Sequence, residues 1–371
     1  MGPTGRVFLA TSLLLVAEVS AQLHNSEQAF NTLQGWYNTD TGLWDTAGWW
    51  NGANSFTVVA DLAQAAQSQN DSSVLQSATE IFANTWAVGP SANPNTDGSV
   101  KTNYNSSDPA VWGGGAYDDN GWWALAWLAA YDVTNNDTYL ELAQGMFDDL
   151  ITQAWGTPCG NGGVYWNSDH EYVNAITNEL FLSIAAHLAN RVPNNSSYYV
   201  DWAQQEWNWF ASSGLINSNN TINDGLTDSC TNNGQTTWSY NQGVVLGGLV
   251  ELNKAAPNQS YIDSANTIAQ AAISALADPN NVIHDSCEPD CAPDATQFKG
   301  IFIRNLLMLQ QASPNDQYTT VIQSCANSIW ANDRDDSTNQ LSVNWAGPFV
   351  SPANSSTHSS AMDALVAAIS L

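Results

Sequence analysis

The chain has 371 residues, and its seven basic side chains against 35 acidic ones leave a formal charge of −28. That balance excludes nucleic acid and anionic membrane surfaces as partners, whereas a neutral ligand such as a glycan is not repelled. The length is enough to bury a large core.

Residues 1–21 read as a secretory signal, with Arg6 as the positive flank, a mostly apolar run Val7–Ala17, and the small-residue cleavage site Val19-Ser20-Ala21. The apolar run is shorter than the roughly 20 residues that span a bilayer. The mature chain is therefore expected to begin near Gln22 and to form a single domain, 22–371, with no membrane insertion. Helical periodicity dominates the remainder and strand-like alternation is scarce. Twelve helices are predicted, near 26–37, 54–68, 72–87, 120–133, 137–153, 173–191, 196–212, 240–256, 260–277, 297–311, 315–331 and 358–370.

These helices alternate in character. Gly121–Val133, Ile176–Leu188, Gly243–Leu252 and Ile301–Leu309 are apolar around most of their circumference, while neighbours such as Tyr139–Ile151 and Tyr198–Phe210 carry a polar face. A helix apolar all round is buried, and an amphipathic one covers it. The pattern predicts an all-α fold, an (α/α)6 barrel of six inner and six outer helices. A helical solenoid is the competing architecture and should show clearer repeats. In the barrel all inner helices run the same way, so the six segments leading into them would meet at one end and form a cleft. Those segments are rich in Trp, Tyr, Asn, Asp and Gly.

The lead-in to the fourth helix ends in Ala-Tyr-Asp-Asp-Asn-Gly-Trp-Trp, residues 116–123. Asp118 and Asp119 there are either a helix cap with a solvated neighbour or a pair for glycoside cleavage, one carboxyl protonated and the other ionised. A helix N-terminus favours an ionised carboxylate. The second carboxyl, beside a like charge and among Trp side chains, should have a raised pKa. Neighbouring residues can hold their carboxyls about 5–6 Å apart, which suits a retaining mechanism.

Aromatic faces pack on sugar rings while amides hydrogen-bond the hydroxyls. On that ground the candidate substrate-binding residues are Trp49, Trp50, Asn51, Tyr117, Asn120, Trp122, Trp166, Asn178, Trp238, Tyr240, Asn241, Gln242 and Lys299. Trp127, Trp155, Trp202, Trp207 and Trp209 are read as packing residues. Asp148-Asp149 and the group Asp333, Asp335 and Asp336 are read as solvated acidic surface, and His187 as a core residue. Lys299 and Arg304 either bind substrate or balance buried carboxylates, with balance favoured for Arg304.

Five cysteines in an exported chain predict a Cys287–Cys291 disulfide and a Cys159–Cys230 disulfide, leaving Cys325 free. Sequence closeness supports only the first pairing directly. Their spacing and the scattered His residues do not match a zinc site, so no metal or other cofactor is expected. Eight Asn-x-Ser/Thr sequons, at Asn70, Asn105, Asn136, Asn194, Asn195, Asn219, Asn258 and Asn354, fit an exported glycoprotein.

The segments WDTAGWWNGAN (44–54), YDDNGWWALAW (117–127), CGNGGVYWN (159–167), TNELF (177–181), TWSYNQGVVLGGLVEL (237–252) and FKGIFIRNL (298–306) together resemble glycoside hydrolase family 76. That family contains bacterial endo-α-1,6-mannanases and fungal Dfg5/Dcw1-type cell-wall proteins. The resemblance implies an (α/α)6 barrel and a retaining attack on internal α-1,6-mannosidic bonds, with Asp118 as nucleophile and Asp119 as general acid/base. It implies an α-mannan or other mannose-containing glycan as partner. It leaves open a cell-wall transglycosidase that joins the mannose glycans of GPI anchors to wall glucan. A non-catalytic glycan-binding protein is the reading from another class. The short C-terminal Ala364–Leu371 does not resemble a lipid-anchor tail, so a chain that is secreted, or held in the wall by other means, is expected; a monomer is expected as well.

Overall fold

The computed structural model describes residues 19–96 and 102–371. The expected secretory signal lies outside the described residues except for 19–21, which are helical. Twelve long α-helices are present among the described residues: α1 (19–33), α2 (Trp49–Ser68), α3 (Ser73–Ala92), α4 (Tyr117–Thr134), α5 (Asp137–Gln153), α6 (Ala175–Arg191), α7 (Ser196–Ser213), α8 (Ser239–Ala255), α9 (Gln259–Leu276), α10 (Phe298–Ala312), α11 (Asp316–Ser328) and α12 (Ser355–Ile369).

The even-numbered helices form a closed ring. Helix α2 packs on α4, α4 on α6, α6 on α8, α8 on α10, α10 on α12, and α12 returns to α2. The odd-numbered helices lie outside it, so the (α/α)6 barrel follows from which faces must be dry. Every residue of α12 from Ser355 to Ile369 is buried, and α6 is buried from Ala175 through Ala186. Outer α7 and α11 bury only one stripe. Bare backbone brings inner neighbours close: a β-carbon on Gly243 would meet the Phe302 Cα at 2.6 Å, so α8 and α10 touch main chain to main chain.

Helix boundaries differ from the periodicity where caps, not apolar spacing, decide them. The first helix covers 19–33 and not 26–37, because a 3-10 turn, Gln34–Trp36, and the short hairpin Tyr37–Asn38 with Leu43–Trp44 take over its expected end. Helix α1 is tied to the outer layer by Gln22 bonding Asn327 and by Ser73 bonding Glu27. It is tied to the ring by the His358 Nε2–Ala29 carbonyl contact of 2.8 Å. Helix α2 begins five residues before the predicted 54, since Gly48 is its extended N-cap.

The disulfides Cys159–Cys230 and Cys287–Cys291 are formed and Cys325 is free and buried. The first closes a separation of 71 residues, tying the lead-ins of α6 and α8 together. Asp333 corrects the expectation of a solvated turn: it is buried, and its carboxylate accepts from the Ser342 N–H at 3.1 Å and from the Ser342 hydroxyl. No helix among the described residues is long and apolar enough to cross a membrane. Seven sequon asparagines are exposed, whereas Asn354 is half-buried and caps α12 through Thr357.

Candidate active site

At the N-terminal end of the inner ring lies a cleft of about 340 Å³. Helix α2 supplies Trp50, and α4 supplies Asp118, Asp119 and Trp122. The lead-in to α6 supplies Trp166, Tyr172 and Asn174. Asp224 and Tyr240 come from the lead-in and first turn of α8, and Asp294 and Phe298 from those of α10. Five of the six chemically rich segments therefore meet, as parallel inner helices require. The sixth, into α12, works behind the cleft: its Ser356 hydroxyl accepts from the Asn51 amide at 3.2 Å.

The floor is aromatic. Trp50 stacks on Trp122 with centroids 5.5 Å apart, Tyr240 stacks on Phe298 at 3.8 Å, and Trp122 lies parallel to Tyr240 at 6.5 Å. These are apolar faces of the kind that seat a sugar ring. Above them the carboxylates are individually held. Asp118 Oδ2 accepts from the Trp166 indole at 3.1 Å, and its Oδ1 accepts from the Asp119 N–H at 3.1 Å. Asp119 Oδ2 accepts from the Asn95 amide at 3.3 Å. That contact depends on Gly114, where a β-carbon would lie 2.5 Å from the Asn95 amide nitrogen.

Burial raises the pKa of Asp118, opposed by the Trp166 and Asp119 donors. Burial raises Asp119 further, with the charge of Asp118 next in importance and Asn95 opposing. Two neighbouring carboxyls thus differ in environment. Asp118 has two donors and ionises first, while Asp119 has one and keeps its proton, the division that acid-assisted displacement needs.

Asp224 and Asp294 complete a set of four carboxylates in the cleft. The Tyr172 hydroxyl donates to Asp224, and the Trp50 indole donates to Asp294 at 2.9 Å. The charge of Asp294 also pushes both catalytic candidates upward. No Lys, Arg or His among the described residues lines this cleft. Sequence reasoning missed Asp224, Tyr172 and Asp294, although all three lie in segments leading into inner helices, which was the available signal.

Of the thirteen candidate substrate-binding residues, Trp50, Trp122, Trp166 and Tyr240 line the cleft. Trp238 sits at its edge, its ring 5.4 Å from Phe298. The other eight do not line the cavity. Trp49 is buried against Trp112 and Trp123 and donates to the Trp112 carbonyl at 3.2 Å. Asn51 bonds Ser356, and Asn120 accepts the Gly114 N–H at 3.1 Å, bracing the glycine run. The Tyr117 hydroxyl donates to the Gln153 carbonyl at 3.3 Å. Asn178 holds both polar groups of Val164, and Gln242 does the same for Ile222. Asn241 is fully buried. Lys299 pairs with Glu288 at 2.7 Å, donates to the Val343 carbonyl at 2.7 Å and lies over Trp345. Arg304 pairs with Asp363 at 3.3 Å. Buried Lys299 and half-buried Arg304 both balance carboxylates.

Comparison with known proteins agrees with this geometry. The family model for glycosyl hydrolase family 76 matches residues 19–370. A putative mannan endo-1,6-α-mannosidase of Schizosaccharomyces pombe is 33% identical over 56% of the chain, and the mannan endo-1,6-α-mannosidase DFG5 of Candida albicans is 28% identical over 75%. The matched stretch spans 51% and 62% of those relatives. Among solved structures, an inactive α-1,6-mannanase of Salegentibacter, with two neighbouring aspartates replaced by asparagine and bound to α-1,6-mannotriose, superposes with a TM-score of 0.76. Identity is 18%, over 94% of this chain and 99% of that one. Dfg5 of Chaetomium thermophilum in complex with glucosamine gives 0.76 at 20% identity, over 94% and 90%. The ring of inner helices, the aspartate pair at its N-terminal end and the match over nearly the whole chain have one reading: the chain belongs to glycosyl hydrolase family 76.

Proposed function

We propose that the chain is a retaining glycosidase that cleaves internal α-1,6-mannosidic bonds of mannan. The observation that carries this reading is the unequal holding of Asp118 and Asp119 over an aromatic floor. Asp118 attacks the anomeric carbon as the bond to the leaving oxygen breaks, and Asp119 gives its proton to that oxygen. Asp119, now a carboxylate, takes a proton from water, whose oxygen displaces Asp118 from the glycosyl-aspartate. Trp50, Trp122, Tyr240 and Phe298 seat sugar faces, and Trp166 holds the nucleophile. The inactive aspartate variant of the Salegentibacter mannanase supports the assignment. The relatives named as mannan endo-1,6-α-mannosidases support mannan as substrate; action at the cell exterior or wall, by a monomer, is part of the same proposal.

The anomer first released from linear α-1,6-mannan, followed by proton NMR, tests the mechanism. The α-mannose end appears first if configuration is retained, and appearance of the β-anomer first rejects the retaining reading.

A second reading has its own observation. Four carboxylates with no cation among the described lining residues suit a glycan that carries an ammonium group, and Dfg5 of Chaetomium was crystallised with glucosamine. A transglycosidase acting on GPI-anchor mannose glycans, with wall glucan as acceptor, uses the same first step. Transfer products on adding glucan oligosaccharides would support it, and free mannose ends alone would exclude it.

A further inference from the structure

A second cavity, of about 320 Å³, opens at the opposite end of the barrel. The C-terminal parts of all six inner helices line it, through Ser68, Asp132, Arg191, Glu251, Gln311 and Ala367. Trp122 lines both this cavity and the cleft, so one buried indole stands between them. Gln64, Ser68 and Gln311 are exposed and mark the mouth, whereas Asp363 and Trp122 are buried at 1% and 3% exposure.

Its electrostatics are the reverse of a site for anions. Each inner helix ends here with its carbonyls, which carry the partial negative charge of the helix dipole. The side chains add to it: Asp61, Asp132, Glu251 and Asp363 face two guanidinium groups, Arg191 and Arg304. Arg191 is occupied by Asp132 and Glu251, the latter at 3.2 Å. Arg304 donates to Asp363 Oδ2 and to the side-chain Oδ1 of Asn54. Burial keeps the His187 imidazole below its ordinary pKa, so it adds no charge near neutrality.

Two carboxyls are left short of partners. Asp363 Oδ1 is buried with no hydrogen-bond partner among the described residues. Asp61 has no hydrogen-bond or salt-bridge partner among the described residues; burial pushes it up to about 6, with the Arg304 charge opposing and the Asp132 charge adding, and burial pushes Asp363 up to about 7. A buried acceptor without a donor is costly to the fold, so a ligand that supplies donors relieves that cost on binding. The rest of the wall is hydrocarbon, from Leu125, Leu128, Ala129, Val244, Met308 and Val366. No group of three His, Cys, Asp or Glu residues among the described residues is placed to hold a metal ion.

We propose that this cavity binds a small organic cation, a primary ammonium compound. Its N–H groups reach Asp61 and Asp363, and its hydrocarbon part lies on the apolar wall. The size suits a ligand of one six-membered ring. This site is independent of the glycosidase reading.

The test is calorimetric titration of the full chain with cyclohexylammonium chloride, and with cyclohexanol as the uncharged probe of similar shape. The proteins are the wild type, Asp61→Asn, Asp363→Asn, and the cleft double variant Asp118→Asn/Asp119→Asn. The expected result is one ammonium bound per chain, with unchanged affinity in the cleft double variant. Affinity falls at least tenfold in Asp61→Asn and Asp363→Asn, and cyclohexanol binds at least tenfold more weakly. Asp61 is half-buried and makes no hydrogen bond or salt bridge among the described residues, its asparagine losing only the charge attraction of Arg304, so the test stands on that variant if Asp363→Asn does not fold. No binding, equal affinity in Asp61→Asn, or loss of binding in the cleft double variant would overturn the proposal.

Discussion

Trp166 grips the start of α4 twice: its indole donates to Asp118 Oδ2 at 3.1 Å, while its backbone carbonyl accepts the Tyr117 N–H at 2.8 Å. The second bond satisfies one of the donors that a helix N-terminus leaves free. The first stabilises the ionised form of the adjacent carboxylate. One residue of the α6 lead-in therefore sets both the position and the charge of the proposed nucleophile. Trp166→Phe keeps the ring and the backbone bond and removes only the indole donor. A hydrogen bond to a charged group contributes about 1.5–3 kcal/mol, so kcat/KM should fall roughly 10- to 100-fold. An unchanged value would show that the indole does not act on Asp118.

The two raised carboxyls predict a bell-shaped pH profile. Activity needs Asp118 ionised, so the rate rises with pH through a pKa above the ordinary carboxylate range. It also needs Asp119 protonated, so the rate falls as pH passes through the still higher pKa of that group. In Trp166→Phe the acid limb should move to higher pH, because a donor that favours the ionised form is gone. A profile of kcat/KM against pH for both proteins checks the sign, and an acid limb that moves to lower pH contradicts it.

The roles of the pair are separable by leaving group. A substrate whose departing group needs no proton depends little on the general acid. Asp119→Asn should therefore retain more activity on an aryl mannoside with an acidic phenol than on mannan. Asp118→Asn should lose both by at least 100-fold. Equal loss on both substrates in Asp119→Asn would argue against its role as acid.

Stability should depend on pH through buried acids remote from the cleft. Glu206 is fully buried, neither of its carboxyl oxygens has a partner among the described residues, and burial holds its pKa well above normal. A folded pKa above the unfolded one gives stability that is complete below the unfolded pKa and lost as pH rises toward the folded value. The loss is about 1.4 kcal/mol for each pH unit of that interval. Thermal unfolding at about pH 5 and about pH 8 should show a smaller difference for Glu206→Gln than for the wild type. An equal difference would remove Glu206 as a source of the dependence.

Much of the fold was legible because burial on every side leaves a mark in the sequence. The runs through Trp122–Ala130 and Val244–Leu252 have no polar face to spare, and such helices can only be interior. The aspartate pair was legible for a local reason, two carboxyls at the entrance of such a helix. The aromatic and amide residues around it were harder to place. Trp49 and Trp50 are adjacent in sequence, yet the rotation of about 100° between consecutive helical residues sends the first into the core and the second into the cleft. Asn178 and Gln242 have the polarity of sugar-binding residues but are consumed by the backbone of Val164 and Ile222, which irregular lead-ins leave unpaired. Asp224 and Asp294 reach the site through long loops, where no periodicity announces direction.

The most direct measurement is the product distribution when the chain is incubated with linear α-1,6-mannan, beside Asp118→Asn and Asp119→Asn. A ladder of mannooligosaccharides from the wild type, absent with Asp118→Asn, is the predicted result. No release by the wild type, or release undiminished by Asp118→Asn, would contradict an endo-acting mannanase built on this aspartate pair.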